Sequence, residues 1–82
     1  MKYHIKIEKL ALKFIARQTP AQRKRIIDAI NLLPDKGDIV PYKGEINTYR
    51  LRVGDYRIVY EKHDDVLLII VIRAGNRGDV YK

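Results

Sequence analysis

The chain has 82 residues, no cysteine and a formal net charge of +7, from 17 Lys/Arg against 10 Asp/Glu. One domain spanning residues 1–82 is expected, burying about 60–65% of its unfolded surface and leaving room for a shallow surface site rather than separate cofactor and substrate pockets. Lack of cysteine excludes a disulfide framework and a thiolate metal site, while the charge favours a polyanionic partner, either nucleic acid or an acidic protein.

The N-terminal stretch Met1-Lys2-Tyr3-His4-Ile5-Lys6 alternates polar with apolar and lacks a signal-peptide apolar region. No apolar run approaches the ~20 residues of a membrane span. A cytoplasmic location with no membrane partner is therefore expected. Tyr3 to Ile7 reads as an edge-type strand. From Glu8 the period changes to helical: Leu10, Phe14 and Arg17 are spaced for one face, with Ala11 and Ile15 widening it. Thr19-Pro20-Ala21-Gln22 predicts a second helix start, with Thr19 as cap, Pro20 in the first turn and Gln22 completing a capping box. Ile26, Ile27, Ile30 and Leu33 form its buried stripe, and Pro34 closes it. The short link between the helices predicts an antiparallel hairpin.

Asp35-Lys36-Gly37-Asp38 is turn chemistry, and Pro41 to Thr48 reads as a loop or short irregular strand. Three strands are predicted at about 48–53, 56–62 and 66–73, joined by tight turns at Gly54-Asp55 and His63-Asp64-Asp65. Val66 to Ile72 is apolar on both faces, as suits a central strand. The expected class is α+β: an N-terminal strand, a helical hairpin, then a three-stranded antiparallel meander, all in one sheet (β-α-α-β-β-β).

In the predicted strand at 48–53 Tyr49, Leu51 and Val53 share one face, and Arg50 and Arg52 the other. Arg57 lies close across the hairpin, and Arg73 and Arg77 follow around Gly75. Like charges gathered on one face cost folding free energy unless an anion or acidic partner uses them. The bland alternative is a solvated face with Glu61 and Asp55 as local partners. Tyr81 follows Arg77 by four residues and suits a stacking or phosphate-binding role as well as a packing lid. The tyrosines at 3, 42, 49, 56 and 60 read as core or rim. His4 and His63 lack neighbours at metal-ligand spacing, and no Gly-rich phosphate loop or nucleophile motif is present. The chemistry left is RNA cleavage, which needs a base for the 2′-OH, cations for the phosphorane charge and an acid for the leaving 5′-oxygen. Guanidinium suits the middle role, and the general base stays open.

Lys43-Gly44, the hairpin Tyr49-Arg50-Leu51-Arg52-Val53-Gly54-Asp55-Tyr56-Arg57-Ile58-Val59-Tyr60, and Gly75-Asn76-Arg77-Gly78-Asp79-Val80-Tyr81 resemble the RelE/ParE toxin superfamily, and its RelE-type mRNA endonuclease branch in particular. The resemblance spans nearly the whole chain in element order. It implies a ribosome-dependent endoribonuclease that needs no metal or other cofactor, cuts mRNA in the decoding site and is neutralised by a RelB-like antitoxin, acidic and partly disordered. By resemblance Lys43, Arg50 and Arg52 grip the mRNA backbone and serve in proton transfer; Arg73, as one of the clustered guanidiniums, is a further candidate RNA contact. Arg57 stabilises the transition-state phosphate, Arg77 is the general acid, and Tyr81 orients the cut nucleotide. Relatives carry lysine where this chain has Arg50 and Arg52, and many carry histidine in place of Asn76. A ParE-like inhibitor of DNA gyrase and a non-catalytic nucleic-acid-binding module are the alternatives on the same fold.

Overall fold

A computed structural model describes residues 2–76. The elements run β1 (His4–Ile7), α1 (Lys9–Ala16), α2 (Pro20–Asn31), β2 (Asp38–Pro41), β3 (Thr48–Val53), β4 (Tyr56–His63) and β5 (Leu68–Asn76). The five strands form one sheet in the order β1-β5-β4-β3-β2. β1 runs parallel to β5, and every other pair is antiparallel. The α+β class and the meander therefore stand, with one strand more than expected. Asp38 is expected in a turn and Pro41 at the start of a loop or short irregular strand; instead Asp38–Pro41 pairs with β3 as an edge strand. Gly37, at φ +130°, supplies the backbone reversal that starts it. Pro41 ends it at a sheet edge, where a missing N–H is tolerated.

The helices cover one face of the sheet. Ala11 and Ile15 of α1 and Ile26 and Ile30 of α2 pack with Leu51, Val53, Ile58, Tyr60, Ile69 and Val71 in a single core. The predicted α1 stripe is turned by one position, for Leu10 is 78% exposed while Ala11 and Ile15 are buried. Small Ala11 lets this two-turn helix lie close to the sheet, which a leucine at that place would prevent. In α2 the expected stripe is present, with Ile27 half-buried beside Ile26, Ile30 and Leu33. Thr19 Oγ1 accepts from Gln22 N at 3.3 Å, as a cap should. The other half of the capping box does not form: Gln22 Oε1 is buried without a partner. Arg23 Nη1 donates to the carbonyls of Ala16 and Gln18, placing a cation on the end of α1 and tying the hairpin together.

β5 is an interior strand, as its two-sided apolar run predicted, but it starts at Leu68. Val66 and Leu67 belong to the turn, with Leu67 at φ +51° and Val66 62% exposed. A bulge at Ile72 then re-aims the strand. Tyr60 pairs with Val71 and Val59 with Arg73, so Ile72 has no cross-strand partner. That one extra residue lets Val71 and Ala74 both face the helices and turns Arg73 to the opposite side.

Candidate nucleic-acid interface

The face of the sheet away from the helices carries no described secondary structure over it, and strand register orders its side chains. One cross-strand row reads Val40, Arg50, Val59, Arg73, and the next reads Asp38, Arg52, Arg57, Gly75. Four arginines from β3, β4 and β5 thus share the open face near the β3–β4 hairpin, and the bulge is what brings Arg73 among them. The bulge-free reading of β5 would have placed Arg73 with Ile69 and Val71 in the core. Lys6 of β1 lies on the same face.

The four differ in burial. Arg52 and Arg73 are exposed and Arg50 is half-buried, whereas Arg57 is only 9% exposed. The Nε and Nη1 atoms of Arg57 are buried and have no hydrogen-bond partner. No described carboxylate pairs with Arg52, Arg57 or Arg73. Asp38 stands opposite Arg52 without forming an ion pair, and Glu61 is engaged with His63, whose Nε2 lies 2.9 Å from Glu61 Oε1. Asp55 likewise forms no salt bridge, so the local charge neutralisation foreseen from Glu61 and Asp55 is absent. Opposite Arg57 on β5 stands Gly75, which adds no side chain beside the guanidinium. A buried cation whose N–H groups lack acceptors is costly, and an oxyanion with several lone pairs supplies what it lacks.

Val59 lies between Arg50 and Arg73 and is buried, although it stands outside the helix-side core. Its position accords with arginine stems lying along apolar surface while their heads reach outward. Lys43 follows β2 in the 42–47 loop and, with Val40, Pro41, Tyr42 and Arg50, lines an open cleft of about 270 Å³ beside the arginine rows. Tyr42, expected at the core or rim, is half-buried there. Asn76 pairs with Tyr56 and so lies on the helix side, away from Arg57. Arg77 and Tyr81 lie outside the described residues.

Among the described residues no histidine stands beside Arg57 on this face. The two histidines of the chain stand together in the row His4, Leu68, His63, six residues along β4 from Arg57 and so roughly 20 Å away. His63 is the last residue of β4 and half-buried, rather than a solvated turn residue. No group of three or more His, Asp or Glu among the described residues is placed to hold a metal ion. No described helix is long and apolar enough to cross a membrane. The arrangement can bind and neutralise anionic oxygens, and it positions one guanidinium in a dry site.

The sequence profile described as ParE toxin of type II toxin–antitoxin system, parDE, matches residues 6–81. The chain belongs to this family of toxins. Among solved structures, the toxin is similar to RelE of the archaeal RelE–RelB complex from Pyrococcus horikoshii, at 26% identity and TM-score 0.77, covering 96% of this chain and 99% of that one. The RelB–RelE complex from Methanococcus jannaschii matches at 34% identity and TM-score 0.74, over 93% and 94% of the two chains. The isolated Escherichia coli RelE toxin shares the fold at 22% identity and TM-score 0.73, over 96% and 90%. Within the RelE/ParE superfamily the toxin lies on the RelE-type branch. No curated protein matches the chain.

Proposed function

We propose that this toxin is a ribosome-dependent endoribonuclease that cleaves mRNA in the decoding site. The observation that carries the reading is Arg57, a buried guanidinium with two unpartnered nitrogens at the centre of a cationic sheet face. In the proposed step the 2′-oxygen attacks the adjacent phosphorus as its proton leaves to a base. The P–O5′ bond breaks, and the 5′-oxygen takes a proton, giving a 2′,3′-cyclic phosphate and a 5′-hydroxyl. Arg57 meets the charge that develops on the non-bridging oxygens, where a preorganised donor in a dry site is most effective. Lys43, Arg50, Arg52 and Arg73 hold the flanking backbone. Arg77 as acid and Tyr81 as the residue that orients the cut nucleotide complete the scheme by resemblance. The base is unassigned. The reaction is proposed to need no metal, and the toxin to act in the cytoplasm.

A RelB-like antitoxin, acidic and partly disordered, is the proposed neutralising partner. RelE occurs with RelB in the P. horikoshii and M. jannaschii complexes, and the arginine face offers such a chain complementary charge. A second reading, inhibition of DNA gyrase by protein contact, is favoured by the ParE family match. Primer extension on a defined mRNA, with and without programmed ribosomes, separates the two. Cuts within the decoding-site codon only when ribosomes are present are expected. Intact mRNA with inhibited supercoiling by gyrase would move the toxin to the second reading.

A further inference from the structure

The cleft beside Arg50 has a composition that cation binding alone does not explain. Its lining combines the aliphatic Val40 and Pro41, the aromatic residue Tyr42 and the cations Lys43 and Arg50, with no carboxylate. The chain holds Tyr42 by its backbone on both sides. Tyr42 N donates to Thr48 O at 2.8 Å, and Tyr42 O accepts from Glu45 N at 3.2 Å. Gly44 at φ +83° and Asn47 at φ +58° close the loop that these bonds brace. Val40 and Arg50 are direct cross-strand neighbours. Arg57 is the diagonal neighbour of Arg50 on the next strand, about 7–8 Å away. The cleft's volume of about 270 Å³ falls just below the roughly 300–1,000 Å³ of pockets that enclose drug-sized ligands. That is room for one flat ring system.

We propose that this cleft is a nucleobase subsite: it takes one unstacked base of the RNA strand, with Tyr42 as the stacking surface and Lys43 and Arg50 on the adjoining phosphates. Single-stranded nucleic acid is held by this pairing of an aromatic platform with a cationic track, and base stacking tolerates any sequence because every base has a π-face. The proposal deepens the RNA reading above and rests on it. It makes Tyr42 a binding residue that sets the register of the strand over Arg57.

The test compares binding of a seven-nucleotide single-stranded RNA with that of the same ribose-phosphate backbone lacking its bases, using the full chain at fixed salt. Wild type is expected to prefer the base-bearing RNA. In Tyr42→Leu that preference should fall about 5- to 150-fold, the range measured for one stacked base, while affinity for the base-less backbone holds. Tyr42→Phe keeps the ring and should keep the preference. An undiminished preference in a folded Tyr42→Leu protein overturns the subsite and leaves the RNA face standing. Equal loss on both RNAs overturns it too, since that marks a structural role. If wild type binds neither RNA, the subsite is overturned, while primer extension with programmed ribosomes decides the ribosome-dependent reading separately.

Discussion

At the scale of single residues, the open face places Arg57 under two opposed demands. Its guanidinium is buried and lacks acceptors for Nε and Nη1, which works against folding, and the same vacancy suits an incoming phosphate. Arg57→Met keeps the length and removes the charge, so it should stabilise the free toxin, by about 1–3 kcal/mol for the buried polar atoms no longer left unmet. It should also weaken RNA binding and abolish cleavage. Urea denaturation and RNA titration check both halves, and a destabilised Arg57→Met protein would mean that the guanidinium is satisfied in solution. Tyr60 offers a second residue-scale expectation. It is 1% exposed and stacked on Tyr49 at 5.7 Å between ring centroids. Burial first, then the charge of ionised Tyr49, pushes its hydroxyl up to about 12. The folded state therefore holds this proton more tightly than the unfolded chain, whose tyrosines titrate near ~10. The stability it represents is complete below about pH 10 and is lost as pH rises towards 12, by up to about 2–3 kcal/mol. Unfolding free energies measured from pH 9 to 12 should show that fall, and Tyr60→Phe should lessen it.

At the scale of elements, periodicity found the helices and the three long strands, but it missed what the backbone does at particular residues. β2 gives no strand signal of its own because four residues with a proline at the end carry too little pattern to register, and only the neighbouring β3 makes them a strand. The β5 bulge was equally hidden: an unbroken apolar run has no alternation from which a slipped register can be read. Gly37 shows how local geometry seats an element. A Cβ there would come within 2.6 Å of Leu51 Cδ1 in the core, at a φ of +130° that L-residues avoid. Gly37→Ala should thus cost more than about 1 kcal/mol and loosen β2. Thermal melts and amide exchange at Ile39 and Val40 would register both. A melt unchanged from wild type would show that the turn adapts.

At the scale of the whole molecule, a net charge of +7 on 82 residues makes association with polyanions fast and salt-dependent. The helices carry much of the positive charge, yet the open face alone gathers Lys6, Arg50, Arg52, Arg57 and Arg73 against Asp38 and Glu61. A cognate acidic antitoxin should bind with an association rate that drops steeply from 50 to 500 mM salt, while its dissociation rate changes little. Stopped-flow or biosensor traces across that range measure it. A flat association rate would assign recognition to apolar contacts, for which exposed residues such as Leu10, Leu12, Leu32 and Ile46 are candidates.

The class of the fold, the helical hairpin, the core faces of α2, β3 and β4, and the alternation that aims Arg50 and Arg52 away from the core were all written in the sequence. These follow from residue period and capping chemistry, which act between near neighbours. The extra edge strand, the face of α1 that is buried, the turn of Arg73 onto the open side and the joining of Tyr42 with Lys43 and Arg50 in one cleft were decided by tertiary structure. Each depends on which strand lies beside which and in what register, and the depth at which Arg57 lies without a counter-charge among the described residues follows from the same pairing. Sequence names the cations; the sheet determines which of them is dry.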